Sequence, residues 1–306
     1  MPKIASIDIG TNTALMLISE YNESRFSFFE DYYEIPRIGQ GVANSGVISD
    51  QKTELLKTVL LNFKKIAEQK GVERFLISGT NAFRIARNSS EVIAKVKSST
   101  NLEIQVLSGE EEARLSYLGA TWLNEGENFI VIDIGGGSTE LIKGTKNKIS
   151  QSVSLPLGVV ALTESFGRKV PPVFNDMDKL QAEVYKVFKN IPLTVNGDEK
   201  VIAVAGTPTT LAAIKAGLTI YDENSIEGFV LKNHELQEFS KVLNNMSSDK
   251  ILSNYPIVKG REDVITAGNI ILSMLGNYLG IKEIQVSTRG LRYGMLFEYI
   301  RLHSQT

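Results

Sequence analysis

VIDIGGGSTEL, residues 131–141, sets an aspartate at the end of an apolar run and follows it with three glycines, a serine, a threonine and a glutamate. SIDIGTNTALM, residues 6–16, repeats that outline with other residues after its first glycine. In each stretch the apolar run predicts a buried strand, and the short polar link to the next apolar run predicts a tight hairpin. A turn stripped of side chains lets backbone N–H groups approach a ligand, and several pointing one way form an anion-binding nest. Phosphate is the usual guest, and an aspartate at the preceding strand end suits Mg²⁺ or one of its waters. A lone Asp-x-Gly turn is more often just a hairpin with a solvated acid. Two copies in one chain, starting at Asp8 and Asp133, favour the phosphate reading.

Working outward, the first hairpin (strands 4–9 and 14–19) precedes a helix over 49–71. There Leu55, Leu56, Val59, Leu60, Phe63, Ile66 and Ala67 share a face, Ser49 or Asp50 caps the start and Gly71 stops it. A strand at 74–79, a helix at 89–99 and a strand at 102–107 follow. The helix over 108–123 opens with Ser108 and carries Glu111 three residues on, a capping box. After the polar break at 124–128 the pattern restarts with strands at 129–134, 139–143 and 148–155. A helix at 176–190, a strand at 200–205, a helix from Thr209, a long apolar helix at 261–280, a strand at 283–288 and a terminal helix at 289–302 complete the chain. Two α/β units result, residues 1–125 and 126–288, with the segment 289–306 expected to pack back on the first. A third glycine loop, AVAGTPTTLAAI at 203–214, joins a strand to a helix through Gly206, with Thr207 as the expected cap and Pro208 as the first helical residue.

Composition removes several function classes. The net charge of −2 and pI near 5.9 do not suit a general nucleic-acid binder, which carries a basic surplus. Cysteine is absent, so no disulfide framework, thiol nucleophile or thiolate metal site is available. His234 and His303 are the only histidines, which argues against a histidine-based triad or zinc centre. No apolar run reaches the roughly 18 residues of a membrane span, and the first residues lack a signal-peptide layout. The expected setting is cytoplasmic, with neither nucleic acid nor membrane as partner.

The paired Asp-x-Gly loops and the later Gly-Thr loop resemble the phosphate motifs of the actin, Hsp70 and sugar-kinase superfamily. Within it the sequence is most similar to the exopolyphosphatase and guanosine-pentaphosphate phosphatase (Ppx/GppA) family. The blocks that carry this resemblance are IDIGTNT, SGTNAFRIARN, SGEEEARLSYLGA, IDIGGGSTELI, SLPLGVVALTESF, AVAGTPTTLAA, GREDVITAGNIIL and VSTRGLRYGML, in family order from residue 7 to residue 296. The resemblance implies two similar ribonuclease H-like (actin-like ATPase) domains facing a cleft. It also implies an enzyme, a hydrolase of phosphoric anhydrides that acts on polyphosphate or on guanosine penta- or tetraphosphate with Mg²⁺ or Mn²⁺, and a homodimer.

The resemblance also assigns roles. Glu112, just before Ala-Arg in the Glu-Glu-Ala-Arg block, takes the place of the catalytic glutamate; sequence physics alone reads the three adjacent acids as a helix start, where the dipole favours them. Asp133 is expected to join it in catalysis, and Asp133, Asp8 and Glu140 to hold the metal. Gly10, Thr11, Asn12 and Thr13, then Gly135, Gly136, Gly137 and Ser138, then Gly206 and Thr207, are expected to bind phosphate. Arg84 and Arg261 are the cations expected to join them, ahead of Arg87, Arg289 and Arg292. Three departures from the family pattern bear on substrate preference: Leu15 stands where family members commonly carry an arginine, Tyr293 where they carry an acid, and Pro208 is unusual in the third loop and would stiffen it. The rival readings are a non-catalytic alarmone or phosphate sensor and an ATP-dependent kinase of the same superfamily.

Overall fold

The computed structural model describes residues 2–21, 26–146, 148–166 and 177–303. Asp176 of the expected helix 176–190 and residues 304–306 of the terminal segment lie outside them. The chain forms two compact units, one running to Trp122 and resuming at Leu291, the other spanning Leu123–Gly290.

The first unit contains β1 (Lys3–Ile9), β2 (Ala14–Tyr21), β3 (Phe26–Glu34), α1 (Val42–Ser45), α2 (Asp50–Gln69), β4 (Val72–Gly79), α3 (Asn81–Ile85), α4 (Ser89–Thr100), β5 (Gln105–Val106) and α5 (Gly109–Thr121). The second opens with β6 (Asn128–Ile134), β7 (Thr139–Thr145), β8 (Lys148–Leu155), α6 (Val159–Phe166), α7 (Met177–Phe188), β9 (Lys200–Val204) and α8 (Gly206–Lys215). It continues with α9 (Glu223–Ile226), β10 (Val230–Lys232), α10 (Asn233–Leu243), α11 (Ser248–Asn254), α12 (Ile265–Leu279) and β11 (Glu283–Val286). α13 (Leu291–His303) then returns to the first unit.

The first sheet has the order β3-β2-β1-β4-β5, the second β10-β11-β9-β6-β7-β8. Read from β8, the second repeats the first: two antiparallel pairs lead to a central strand, which pairs in parallel with the strands beyond it. β10 is an added antiparallel edge. This is the ribonuclease H-like (actin-like ATPase) order, present twice.

Alternation along the central strands decides which side chains are buried where. Ala5, Ile7 and Ile9 of β1 pack with Leu56, Val59, Leu60 and Phe63 of α2. Ile4 and Leu17 on the other face meet Tyr293, Leu296 and Phe297 of α13. The Ser6 hydroxyl on that face donates to the Arg292 carbonyl at 2.7 Å. Asp8 continues this second face. In β6, Ile130, Ile132 and Ile134 join the main core with Phe188, Leu211, Ile271 and Leu275. Asp133 therefore lies on the opposite face of its sheet.

Several expectations shift. Leu55 is 41% exposed, because it sits one residue, about 100°, off the buried stripe of Leu56, Val59, Leu60, Phe63 and Ala67. The expected strand 102–107 shortens to β5, although Leu102 and Ile104 are buried. The long apolar helix begins at Ile265 rather than 261, since the Arg261 carbonyl first accepts from Val264 and Ile265 in a turn. Arg114 of α5 pairs with Glu298 of α13 at 3.2 Å. No helix among the described residues is long and apolar enough to cross a membrane.

Candidate active site

Each hairpin loop is closed by the same bond and backed by a neighbouring segment. In the first, the Gly10 N–H donates to the Thr13 carbonyl at 2.9 Å. The Gly39 N–H then donates to the Thr11 carbonyl at 2.9 Å, and the Arg37 N–H to that of Asn12 at 3.0 Å. In the second, the Gly135 N–H donates to the Ser138 carbonyl at 2.9 Å. The start of α6 backs this loop: Val159 N–H donates to the Gly135 carbonyl at 3.0 Å, and Val160 N–H to that of Gly136 at 2.8 Å. The carbonyls of Thr11 and Asn12, and of Gly135 and Gly136, are thus occupied from behind. The N–H groups of Thr11, Asn12 and Thr13, and of Gly136, Gly137 and Ser138, have no protein acceptor among the described residues. Unpaired backbone donors are tolerated where water or an anion supplies the acceptor. Rows of such donors are what an anion-binding nest is built from.

The glycines serve this by lacking a Cβ. Gly10, Gly135, Gly136 and Gly137 are not among the positive-φ residues, so no left-handed turn demands them. Close approach does so around the second loop. A Cβ on Gly158, just before α6, would lie 2.4 Å from the Gly136 carbonyl. Gly39 behind the first loop has the matching role, with its Cβ position 2.3 Å from the Thr11 methyl. Sequence reading missed both buttresses; the only trace of the second was Gly158 within the LPLGVV block.

The acids differ between the units. Asp133 pairs in register with Glu140 across β6 and β7, and Glu140 with Ser154 across β7 and β8, so all three share one face. Glu140 is 2% exposed and accepts from the Ser154 hydroxyl at 2.8 Å. Asp8 instead faces Leu15, and beyond it Tyr33. The described residues contain no group of three or more acids or histidines able to hold a metal. Two adjacent carboxylates suit an ion such as Mg²⁺, which keeps several of its waters, better than one needing a closed protein cage.

In α5 the capping box forms as the sequence predicts. The Glu111 N–H donates to Ser108 Oγ at 3.2 Å and the Ser108 N–H to Glu111 Oε2 at 2.9 Å. The Ser108 N–H, and its hydroxyl donating to the same Oε2 at 2.8 Å, hold the Glu111 carboxyl below its ordinary range. Glu112, freed from capping, instead meets Arg84: Nη1 donates to Glu112 Oε2 at 2.5 Å and to the Leu107 carbonyl at 3.1 Å. Glu112 and Arg84 are both largely enclosed, their side chains 14% and 22% exposed.

The third loop departs from expectation. α8 starts at Gly206 with Ala205 as its cap, so Thr207 and Pro208 are the second and third helical residues. Proline is tolerated there because the first-turn N–H groups lack helical partners. The Thr207 side chain packs on α12, where a Cβ on Gly268 would lie 2.2 Å from its hydroxyl oxygen, so it is committed to packing. Arg261 lies over Gly206: a Cβ there would fall 1.1 Å from Arg261 Nη1. Ala205 has φ 75° and ψ −172°, a conformation almost confined to glycine, and such strain gathers at functional sites. Of the secondary cations, Arg292 forks onto Asp31 at 2.7 and 3.1 Å, Arg87 donates to the Ser45 carbonyl at 3.0 Å, and Arg289 lies 3.8 Å from Glu227. Glu227 also accepts from Ser287, Thr288 N–H and Thr288 Oγ1, a cluster that joins residues too far apart in sequence to be foreseen.

Two actin-like ATPase-type domains, each with an Asp-x-Gly phosphate-type loop, define the class. Residues 17–303 match the Ppx/GppA phosphatase family, and the chain belongs to it. It is 28% identical to exopolyphosphatase 2 of Mycobacterium tuberculosis, over 96% of this chain and 98% of that one. It is 29% identical to the bifunctional 3-dehydroquinate synthase/phosphatase of Fusobacterium nucleatum, spanning 96% of this chain but only 46% of that protein. The crystal structure of the Aquifex aeolicus Ppx/GppA family member superposes with a TM-score of 0.82 at 28% identity, covering 98% of both chains.

Proposed function

We propose that this protein is a phosphohydrolase that releases the terminal orthophosphate of inorganic polyphosphate, the 5′-γ-phosphate of guanosine pentaphosphate, or both. The observation that carries this reading is the pair of loops in each of which two carbonyls are bonded from behind while three successive N–H groups remain for an anion. Family membership and an exopolyphosphatase relative matched over nearly its whole length support the same substrate class.

In this mechanism Glu112 orients a water and accepts its proton as it attacks the terminal phosphorus. The N–H groups of Gly136, Gly137 and Ser138, and of Thr11, Asn12 and Thr13, hold the phosphoryl oxygens, as dipoles fixed before charge develops. Gly10 and Gly135 close those loops, and the Thr11, Asn12 and Ser138 side chains add polar contacts. At the third loop the first-turn N–H groups of Gly206 and Thr207, with Arg261, receive phosphates further along the chain, and Arg84 adds a second cation. Asp133 and Glu140, with Asp8, would hold Mg²⁺ or Mn²⁺ or its waters, and the ion when bound would neutralise phosphate charge. We place the protein in the cytoplasm as a homodimer on the same footing.

The test compares phosphate release from long polyphosphate, short polyphosphate, guanosine pentaphosphate and ATP, with and without Mg²⁺. Glu112→Gln should lower the rate on the preferred substrate about 10²- to 10⁴-fold, the usual contribution of a general base. A wild-type rate from a correctly folded Glu112→Gln protein sinks the mechanism. Tight binding of guanosine tetraphosphate with no turnover of any substrate would instead favour a sensor.

A further inference from the structure

Arg84 was expected to be a free cation waiting for phosphate, but its Nη1 is already in use. That one nitrogen donates to two acceptors at the start of α5: the Leu107 carbonyl, just before the Ser108 cap, and the Glu112 carboxylate in the first turn. Arg84 itself is held at the end of α3, directly after β4 and Gly79. Gly79 admits this arrangement, since a Cβ there would lie 2.5 Å from the Phe83 ring beside Arg84. A guanidinium presents its donors in a rigid plane. With the Leu107 carbonyl fixing Nη1, the second N–H of the same nitrogen defines where Oε2 of Glu112 sits. The other side-chain nitrogens, Nε and Nη2, have no protein acceptor among the described residues.

We infer that Arg84 is a positioning residue for Glu112. It locks the carboxylate of the base in one orientation by bridging it to the Leu107 carbonyl. This rests on the role proposed for Glu112 and adds to it how the base is aimed. Glu112 has three side-chain torsions and takes no part in the capping box, so its pairing with a guanidinium already anchored on the Leu107 carbonyl restricts the rotamers open to it. Its neighbour Glu111 is held by Ser108, and Glu112 by Arg84: two adjacent acids fixed by two different partners. Nε and Nη2 stay available to a phosphoryl oxygen, so the same side chain can sense the substrate without releasing the base.

Steady-state kinetics of Arg84→Gln, Arg84→Lys, Glu112→Gln and the Arg84→Gln/Glu112→Gln double variant on the preferred polyphosphate or nucleotide tests this, with circular dichroism and thermal unfolding as fold controls. Arg84→Gln should lower kcat about 10²-fold, the scale of a small misplacement of a catalytic group, with KM changed far less. Arg84→Lys should recover part of kcat, because an ammonium reaches the carboxylate but lacks the fork. It also supplies the kcat–KM comparison should Arg84→Gln fail to fold. At saturating substrate, where a phosphate contact of Arg84 is expressed in KM, the kcat of the double variant should be no lower than that of Glu112→Gln alone, since a positioning residue has nothing left to position. A raised KM at unchanged kcat, or losses that multiply in the double variant, overturns the inference and makes Arg84 a phosphate ligand only. If Glu112→Gln retains wild-type activity, the proposed mechanism fails first, so the two failures are distinguishable.

Discussion

The two hairpins are copies of one design with different chemistry. Ile9 pairs with Ala14 and Ile134 with Thr139; Gly10 closes on Thr13 and Gly135 on Ser138 at the same 2.9 Å. The residue facing the aspartate differs: Leu15 beside Asp8, Glu140 beside Asp133. The backing differs too. A helix start presses backbone against backbone behind the second loop, whereas at Gly39 the nearest neighbour is the Thr11 methyl. The duplication therefore preserved the loop geometry, while of the two residues that face the aspartates across the hairpins Glu140 is a carboxylate and Leu15 is not. On the proposed mechanism labour is divided unequally: the second unit supplies two carboxylates for the metal, Asp133 and Glu140, and the first supplies Asp8 and the proposed base, Glu112.

The largest effect that separates the hairpins should come from their acids. Asp133→Asn is expected to lower metal-dependent phosphate release about 10²-fold or more, and Asp8→Asn distinctly less, measured over a Mg²⁺ titration. Equal losses, with equal shifts in metal requirement, would erase the division. Next come the buttresses. Gly158→Ala meets the Gly136 carbonyl, which cannot turn aside, and should cost about 1–3 kcal/mol of stability through overpacking together with most activity. Gly39→Ala should cost less, because Thr11 can change rotamer, although Ala82 sits close behind at 3.2 Å. Thermal melts of the two variants decide the order.

The smallest effect tests the helix that carries Glu112, the proposed base. Ser108→Ala should cost about 1 kcal/mol at neutral pH. The Ser108 N–H and hydroxyl depress the Glu111 carboxyl, so the cap's contribution is present above the ordinary carboxylate range and lost as pH falls through the lowered value. The gap between wild type and Ser108→Ala should narrow in acid. A gap independent of pH would mean that Glu111 plays no part in it.

What could be read from sequence was local. The hairpins, the capping box at Ser108 and the α2 stripe are set by neighbours a few residues apart, so periodicity and turn residues reveal them. The structure bears out the duplicated α/β fold because both copies keep the same strand and turn pattern. β3 was missed, since FSFFEDYYE mixes acids and aromatics without regular alternation, and α10 because its amphipathic pattern was not picked out. The start of α8 was misplaced because Ala205 adopts a backbone conformation that sequence rules assign to glycine. Nothing local could show that Arg84 meets Glu112, that Glu140 meets Ser154, or that Gly158 is small for the sake of Gly136. Those pairings arise only when separate elements pack.

The return of α13 to the first unit bears on how the protein is made. A ribosome finishes residues 123–290 before it supplies the helix that covers Ile4 and Leu17. During synthesis the second unit can close on its own core while one face of the first sheet still lacks Tyr293, Leu296 and Phe297. The half that begins first is the half completed last, and the helix bearing Glu112 gains its ion-pair partner Glu298 only at that final step.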